Sequence, residues 1–248
     1  MDVALGAVSY HELWSQGAGD AGLNVWYHAL NNGFKIPVVG GEDSISNLHR
    51  VELVASVRSY FYLGLGNLSW ENVMAALLKG RGFVTNGPLI EFTAGQSMPG
   101  DDIQLPAAGG AVTFRSVLNS IAPIERFELV HNGKVIESVP MTGDRRHGTF
   151  EKTLTITESG WYSMRAIGPA RTHPVENTRP QAVTNPIYVY VGGRPIRNKE
   201  SADYFVRWMD KLKTMAEQHP GWRSDKEKQH VLAQIKEARD VYVKRGQE

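Results

Sequence analysis

The chain has 248 residues, of which 42% are hydrophobic and 21% are charged, a composition typical of a globular protein with one large domain or two modest ones. Lys and Arg number 27 against 26 for Asp and Glu, so the overall charge does not favour nucleic acid or an anionic membrane as a partner. The absence of Cys excludes disulfides, thiolate metal ligands and cysteine nucleophiles, and it leaves the compartment open. No apolar stretch reaches the roughly 18 residues of a spanning helix, so we expect no membrane span.

The first segment alternates short apolar runs with helical stretches, a rhythm typical of an α/β domain. Helix starts are predicted at Asn24 and at Ser69, where a side-chain oxygen could cap the helix. Asn32-Gly33 and Gly80 are predicted to end the two helices, because Gly and Asn tolerate the left-handed backbone of a helix C-terminus.

An acidic cluster follows a strand predicted for residues 35–39 (KIPVV). After Gly40-Gly41 the chain continues with Glu42 and Asp43, which this strand would present at its C-terminal edge. Open and barrel-like α/β sheets place their chemistry on that edge. The pattern therefore predicts Asp43 as a functional acid.

From about residue 93 the pattern changes to strands only. The Asn132-Gly133 step predicts a hairpin, because Asn-Gly supplies the positive backbone angles of a type I′ turn. Several such strands predict a small antiparallel sandwich. Residues 199–217 and 224–244 show helical spacing and predict a closing helical hairpin.

Several longer motifs follow one another along nearly the whole chain. They are WYHALNNGFKIP, GGEDSISN, KGRGFVTNGPLIEF, SGWYSMRA, THPVENTRPQAVTNPIYVYVGG, SADYFVRWMDKL and KEKQHVLAQIKEARDVY. In this order they resemble the carbaryl-hydrolase-like (CehA/McbA) branch of the PHP metallohydrolases. The resemblance implies a barrel that holds divalent metal ions, an accessory β-sandwich and terminal helices. It also implies hydrolysis of ester, carbamate or phosphoester bonds.

The expected fold is α/β plus all-β, in three parts. The resemblance implies a partial PHP-like (β/α) barrel over residues 1–92, an Ig-like β-sandwich over 93–196 and a C-terminal helical hairpin over 197–248. The family opens with a His-x-His strand that has no counterpart in this sequence. We therefore expect a truncated metal-dependent hydrolase that is inactive or weak alone.

The resemblance also implies a metal site. Glu12 and Asp43 match family ligand positions, and Asp43 is the catalytic candidate; His49, close beyond Asp43, is the third proposed ligand. Carboxylates of this kind can bind Zn, Mn or Fe, but catalytic ions take three or more protein ligands each, so further ligands would come from the absent half. His11 is a weaker candidate, because on a strand it would alternate away from Glu12.

The glycine-rich segment GRGFVTNGP supplies the proposed substrate contacts. It lacks the Lys-Ser/Thr ending of a P-loop, so a phosphate-loop interpretation is disfavoured. The family places this strand at the barrel mouth, which makes Arg81, Thr85 and Asn86 candidates for substrate binding. A plain structural role remains an equal alternative, in which residues 85–88 form a turn held by side-chain to backbone hydrogen bonds.

Two residue types have structural interpretations that compete with functional ones. His28 is interpreted as a packing or surface histidine. The six Trp residues could form a carbohydrate platform, but five of them occur at apolar motif positions, which favours core packing.

Three functional hypotheses follow. The chain is the C-terminal part of a hydrolase acting on a small molecule, a non-catalytic carbohydrate- or protein-binding module, or one half of a split enzyme that needs an upstream half-domain. An incomplete barrel exposes strand edges, so a homodimer is a further possibility.

Overall fold

The computed structural model of the chain describes residues 1–14, 19–41, 55–170, 172 and 179–247. Within these residues the fold mixes four helices with several sheets, most of them antiparallel and none closed. The helices are α1 (Gly19–Asn31), α2 (Trp70–Lys79), α3 (Lys199–Gln218) and α4 (Asp225–Gln247). The strands are β1 (His11–Leu13), β2 (Val38–Gly40), β3 (Arg58–Phe61), β4 (Gly82–Thr85), β5 (Leu89–Ala94), β6 (Asp102–Leu105), β7 (Gly110–Asn119), β8 (Arg126–His131), β9 (Lys134–Val139), β10 (His147–Ile156), β11 (Gly160–Ile167), β12 (Gln181–Thr184) and β13 (Ile187–Val191).

Three sheets organise these strands. β1 and β2 form a small parallel pair, and β10, β7 and β5 form an antiparallel sheet. The large sheet has the order β3-β4-β12-β11-β13-β6, with β8 pairing to β11 and β9 to β8. β4 pairs with β12, so strands on both sides of the boundary predicted at residue 92 belong to one hydrogen-bonded sheet.

The main core lies between the large sheet and the three-stranded sheet. Side chains of β11 alternate between the two faces of the large sheet, and Tyr162, Met164 and Ala166 point into this core. Phe114 from β7 and Phe127 from β8 meet them and are fully buried. Each such side chain contributes about 1.5–3 kcal/mol through removal of apolar surface from water.

A second core covers the other face of the large sheet, where α1 packs. Trp26 of α1 lies 6.2 Å from Trp161 of β11 between ring centroids, and Tyr27 lies 5.0 Å from Trp161. Both indole N–H groups are satisfied, because Trp26 donates to the Ile36 carbonyl at 2.7 Å and Trp161 donates to the Asn31 side chain at 2.8 Å. α1 is therefore held to the sheet by aromatic contact and by directed hydrogen bonds.

The third core joins the C-terminal helices to α1. Phe205 of α3 stacks on Tyr242 of α4 with ring centroids 4.7 Å apart. His28 of α1 bonds to the Ser201 hydroxyl at 2.9 Å and stacks on Tyr204 at 4.0 Å. The predicted helical hairpin and the packing role of His28 are confirmed.

Local sequence signals correspond to the observed element ends. Ser69 accepts a hydrogen bond from the Asn72 N–H at 3.2 Å and caps α2, which ends at Gly80 with φ of 76°. Asn132 and Gly133 adopt φ of 49° and 85° in the hairpin between β8 and β9, as predicted.

Two predictions from the sequence were wrong. α1 begins at Gly19 and not at Asn24, and Asp20 in its first turn interacts favourably with the helix dipole. Trp26 and Trp161 are core residues as expected, but Trp70 is 73% exposed at the first position of α2 and Trp208 of α3 is 48% exposed. No helix in the described part of the chain is long and apolar enough to cross a membrane.

Candidate functional site

The candidate site lies at the carboxyl ends of β1 and β2. The two strands pair in parallel with Glu12 opposite Val39 and Leu13 opposite Gly40, and α1 makes the connection between them. A parallel pair joined by a helix brings both carboxyl ends to the same edge, where α/β sheets bind their ligands. Of the residues that the structure describes, Glu12, Trp14 and Gly41 lie at this edge.

The Glu12 carboxylate lies directly against Gly41. A Cβ atom added to Gly41 would overlap the carboxyl group of Glu12, so a larger residue there would make this exposed side chain rotate away. The backbone of Gly41 is also bonded to the same edge, because its N–H donates to the Leu13 carbonyl at 3.3 Å. The fold thus places Glu12 beside the backbone that leads into Glu42 and Asp43.

β2 is fixed to the large sheet by polar contacts on its backbone. The buried side chain of Asn185 accepts from the Val38 N–H at 2.7 Å and donates to the Val38 carbonyl at 3.3 Å. The Ser59 hydroxyl accepts from the Gly40 N–H at 2.8 Å. A Cβ on Gly40 would come within 2.9 Å of Val84, so β2 crosses the sheet at close range.

These contacts define the direction of β2 relative to β4. Val38 bonds to the side chain of Asn185, and the backbone N–H of Asn185 donates to the Gly82 carbonyl at the start of β4. Gly40 bonds to the side chain of Ser59, and Ser59 pairs with Val84 further along β4. β2 and β4 therefore run in the same direction. Gly41 leaves β2 at the end where Thr85 and Asn86 leave β4, and Arg81 lies at the opposite end.

Arg81 is engaged in an ion pair away from the β1–β2 edge. Its guanidinium donates to Asp101 at 2.9 Å, and Lys79 lies 3.8 Å from the same carboxylate oxygen. The other oxygen of Asp101 accepts from the Met98 N–H at 3.1 Å. Arg81 therefore anchors the loop before β6, and the fold does not bring it to Glu12.

Thr85 and Asn86 form the turn predicted between β4 and β5. The Thr85 hydroxyl donates to the Pro88 carbonyl at 2.5 Å and accepts from the Gly87 N–H at 2.9 Å, which confirms the predicted turn bonding. Asn86 accepts from the Gln181 N–H at 2.7 Å and donates to the Arg179 carbonyl at 2.8 Å. These contacts support the structural alternative directly, and a substrate contact for either residue stays a prediction.

His11 points away from the edge, as the alternation of a strand requires. Its Nε2 atom lies 3.1 Å from the Gly22 carbonyl of α1. Burial lowers the pKa of His11, and the Gly22 carbonyl and Glu12 only partly oppose that effect. The ring thus connects β1 to α1, and its burial favours the uncharged form.

Sequence reasoning missed Trp14. This residue follows β1 directly, is 6% exposed and adopts φ of 66°, a region that aromatic residues rarely occupy. Among the described residues, none accepts a hydrogen bond from its buried indole N–H. A left-handed backbone at a non-glycine residue costs about 1–3 kcal/mol, so the end of β1 is strained next to Glu12. Only its position after the strand could have drawn attention to it.

An ion pair at the same end of the sheet was also missed. Arg179, whose carbonyl accepts from Asn86, donates to Asp20 of α1 at 2.6 Å. Nearby, Arg165 and Glu128 form a mostly buried ion pair at 2.6 Å across β11 and β8. Two residues far apart in sequence form each pair, so no local motif indicates them.

The proposed metal ligands can be compared with this geometry only in part. Asp43 and His49 lie outside the described residues, as do Glu42 and Ser44. Among residues 1–14, 19–41, 55–170, 172 and 179–247, no group of three or more His, Asp and Glu side chains converges on one point. Glu12 by itself cannot hold a catalytic divalent ion, so the described side chains alone do not fit one.

A small cavity of about 100 Å³ lies at the other end of β2, between Pro37, Lys79, Asn185 and Tyr188. The two lysines at its rim are paired, Lys35 with Asp102 at 2.6 Å and Lys79 with Asp101 at 3.8 Å. Both lysines at the rim thus have an acidic neighbour, which weakens the case for an anion site in this cavity.

Comparison with known proteins adds no relative. No protein-family model matches the sequence, and a search of curated proteins finds no match. The resemblance to PHP metallohydrolases therefore stands on the sequence motifs, and the geometry of the β1–β2 edge is the structural observation to weigh beside it.

Proposed function

We propose that the chain is the C-terminal part of a PHP-type metal-dependent hydrolase that cleaves phosphoester, ester or carbamate bonds of a small molecule. The observation that carries the proposal is the exposed Glu12 carboxylate, which lies beside Gly41 at the carboxyl edge of a parallel strand pair. In this proposal β1, α1 and β2 belong to a partial PHP-like barrel. The facing sheets with their shared core are the Ig-like accessory sandwich.

Within this proposal the residues have separate roles. Glu12, Asp43 and His49 are metal ligands, and Asp43 is the catalytic residue. Thr85 and Asn86 border the substrate, since β4 ends on the same side as β2. Arg81 is the weakest of the substrate candidates because it lies at the far end of β4. Glu12, Asp43 and His49 are three ligands at most, and catalytic ions take three or more protein ligands each, so the chain alone should be inactive or weak.

Metal content tests the proposal. The purified chain is chelated mildly, Mn²⁺ or Zn²⁺ is added back, and bound metal is measured by elemental analysis. We expect bound metal that Glu12→Gln and Asp43→Ala each reduce at least several-fold, because each removes a hard oxygen ligand. The control is Glu158→Gln, which removes an exposed carboxylate from the loop between β10 and β11. Equal metal in all four proteins would contradict the proposal.

A second candidate function is a non-catalytic carbohydrate- or protein-binding module. The observation that favours it is Trp70, whose exposed indole could stack on a ligand. Affinity electrophoresis in polysaccharide gels checks the carbohydrate form, in which Trp70→Ala should abolish any retardation. The third candidate, one half of a split enzyme, predicts that activity appears only when an upstream half-domain is added to the chain.

A further inference from the structure

The surface around β3 combines an open strand edge with exposed apolar side chains. β3 ends the order of the large sheet, and among the described residues only β4 pairs with it. Tyr60, Tyr62, Leu65, Leu68 and Trp70 are between 42% and 106% exposed. We call these five residues with the outer edge of β3 the β3 edge surface.

The backbone of β3 presents regularly spaced hydrogen-bonding groups on its outer side. In an antiparallel pair, alternate residues bond to the neighbouring strand. The Tyr62 N–H donates to the Arg81 carbonyl at 2.8 Å, which shows which alternate residues of this strand bond towards β4. Tyr60 and Arg58, two and four residues earlier, therefore also bond towards β4. The N–H and carbonyl groups of Ser59 and Phe61 therefore point away from β4.

We propose that β3 pairs in antiparallel orientation with β3 of a second copy of this chain. The outward groups set the register: Ser59 faces Phe61 of the second copy, Phe61 faces Ser59 of the second copy, and Tyr60 faces its own equivalent on the two-fold axis. Each Ser59–Phe61 pair exchanges two N–H···O bonds. The same patch thus serves both subunits, as a two-fold dimer requires.

The side chains fit the same register. Arg58, Tyr60 and Tyr62 share one face of β3, so Arg58 of one subunit lies across from Tyr62 of the other. That pairing places a cation beside an aromatic ring, and the two Tyr60 rings meet at the axis. Tyr60 already stacks on Phe83 at 5.0 Å, so an aromatic row would cross the interface.

β3 has one of the features that keep edge strands apart, because it is only four residues long. It lacks the chemical ones, since natural edges also carry Lys, Pro or inward charges. Residues 58–65 (RSYFYLGL) contain no Lys, Pro, Asp or Glu, and Arg58 is their only charge. The five side chains expose on the order of 700 Å² in total, which is the upper limit of what they could bury, against the roughly 800 Å² that each partner buries in a standard interface. A second copy therefore fits in hydrogen bonding and in charge.

The chain contains no Cys, so single introduced cysteines test the register without background. Equivalent Tyr60 residues would lie at a non-hydrogen-bonded position with Cα atoms about 4.5 Å apart, within disulfide range. Under mild oxidation Tyr60→Cys should form a covalent dimer nearly completely. Tyr62→Cys is the matched control on the same strand, because its equivalents would lie roughly 13 Å apart and should not cross-link.

Analytical ultracentrifugation of the chain without cross-links is the second test, and it measures whether the chain is a monomer or a dimer. At about 20 µM the wild-type chain should be a dimer. Tyr60→Lys should weaken dimerisation at least about tenfold, because it places like charges opposite each other. Tyr10→Lys, at a Tyr of similar exposure outside the β3 edge surface, should remain dimeric. Circular dichroism establishes that each variant is folded.

A monomeric wild-type chain, or a dimer that Tyr60→Lys leaves intact, would overturn the proposal. So would cross-linking of Tyr62→Cys as readily as Tyr60→Cys, since that result indicates another register. The proposal is independent of hydrolase chemistry, because neither readout depends on bound metal or on turnover.

Discussion

At the scale of single residues, the position of the candidate site depends on buried polar side chains. Asn185 is fully buried and bonds to both backbone groups of Val38 in β2. In the sequence Asn185 belongs to the motif THPVENTRPQAVTNPIYVYVGG, and no local pattern distinguishes it. Its side chain is the link that holds β2, and with it Gly41 and the Glu12 carboxylate, to the large sheet.

Replacing Asn185 tests this link. Asn185→Ala leaves the Val38 N–H and carbonyl buried without their partner, so the free energy of unfolding should fall by about 2–4 kcal/mol. Urea denaturation followed by circular dichroism measures the change. Asn119→Ala, an exposed Asn that bonds to His147, is the control and should change stability by less than about 1 kcal/mol. Equal effects of the two substitutions would refute the proposed role.

Residue-scale prediction from sequence succeeded where the chemistry is local. The turn at Thr85 was predictable because the hydroxyl bonds within three residues of itself. The left-handed backbone and the buried indole of Trp14 were not, because both depend on what surrounds the end of β1. Substrate contact by Thr85 and Asn86 stays a prediction.

At the scale of elements, glycines decide how closely strands approach. A Cβ on Gly82 would overlap the Tyr60 carbonyl, so β4 can lie against β3 only with glycine at this position. Gly22 lies inside α1 and differs, because a Cβ there would make ordinary van der Waals contacts with two side chains of β1, Leu13 at 3.6 Å and His11 at 3.7 Å. One substitution should therefore have opposite effects at the two positions.

Gly82→Ala should lower the free energy of unfolding by at least about 1–3 kcal/mol, because the strands must separate to admit the methyl group. Gly22→Ala should raise it by roughly 0.5–1 kcal/mol, because alanine is the better helix former. Urea midpoints of the two variants and the wild-type chain make the comparison. A destabilised Gly22→Ala or a neutral Gly82→Ala would show that the packing differs from this description.

The helices and turns themselves were largely predictable from the sequence, but the partners with which the strands pair were not. The cap at Ser69, the Asn132-Gly133 hairpin and the two C-terminal helices follow from short-range signals. The pairing of β4 with β12 joins residues about a hundred positions apart, and no local pattern indicates it. The start of α1 was misplaced because the acidic first turn precedes the apolar face.

At the scale of the whole molecule, burial of histidines makes stability depend on pH. Burial lowers the pKa values of His11, His28 and His131 below the ordinary value of 6.5. Neighbouring groups raise these pKa values in part: the Gly22 carbonyl and Glu12 at His11, and the Trp161 carbonyl and Glu158 at His131. At His28, Glu200 raises the pKa and Arg207 lowers it further. The unfolded chain therefore binds protons that the folded chain does not.

The sign of the effect follows from this difference. Stability should be complete above about pH 6.5 and should fall as the pH drops below that value towards the lowered pKa values. Urea unfolding at about pH 7.5 and pH 5.5 checks the direction. His131→Gln should reduce the difference between the two pH values, whereas His230→Gln, exposed on α4, should preserve it. A chain more stable at the lower pH would contradict the prediction.

The sequence by itself determined the short-range features of this protein: the caps, the hairpin turn, the helical tail and the succession of α/β and all-β patterns. Each depends on residues within a few positions of one another. Only the tertiary structure decided that β2 runs along β4, that Glu12 lies against Gly41, that Arg81 is directed elsewhere and that β3 is an open edge. These features arise from contacts between distant segments, which the hydrophobic pattern requires to pack but does not assign to particular partners.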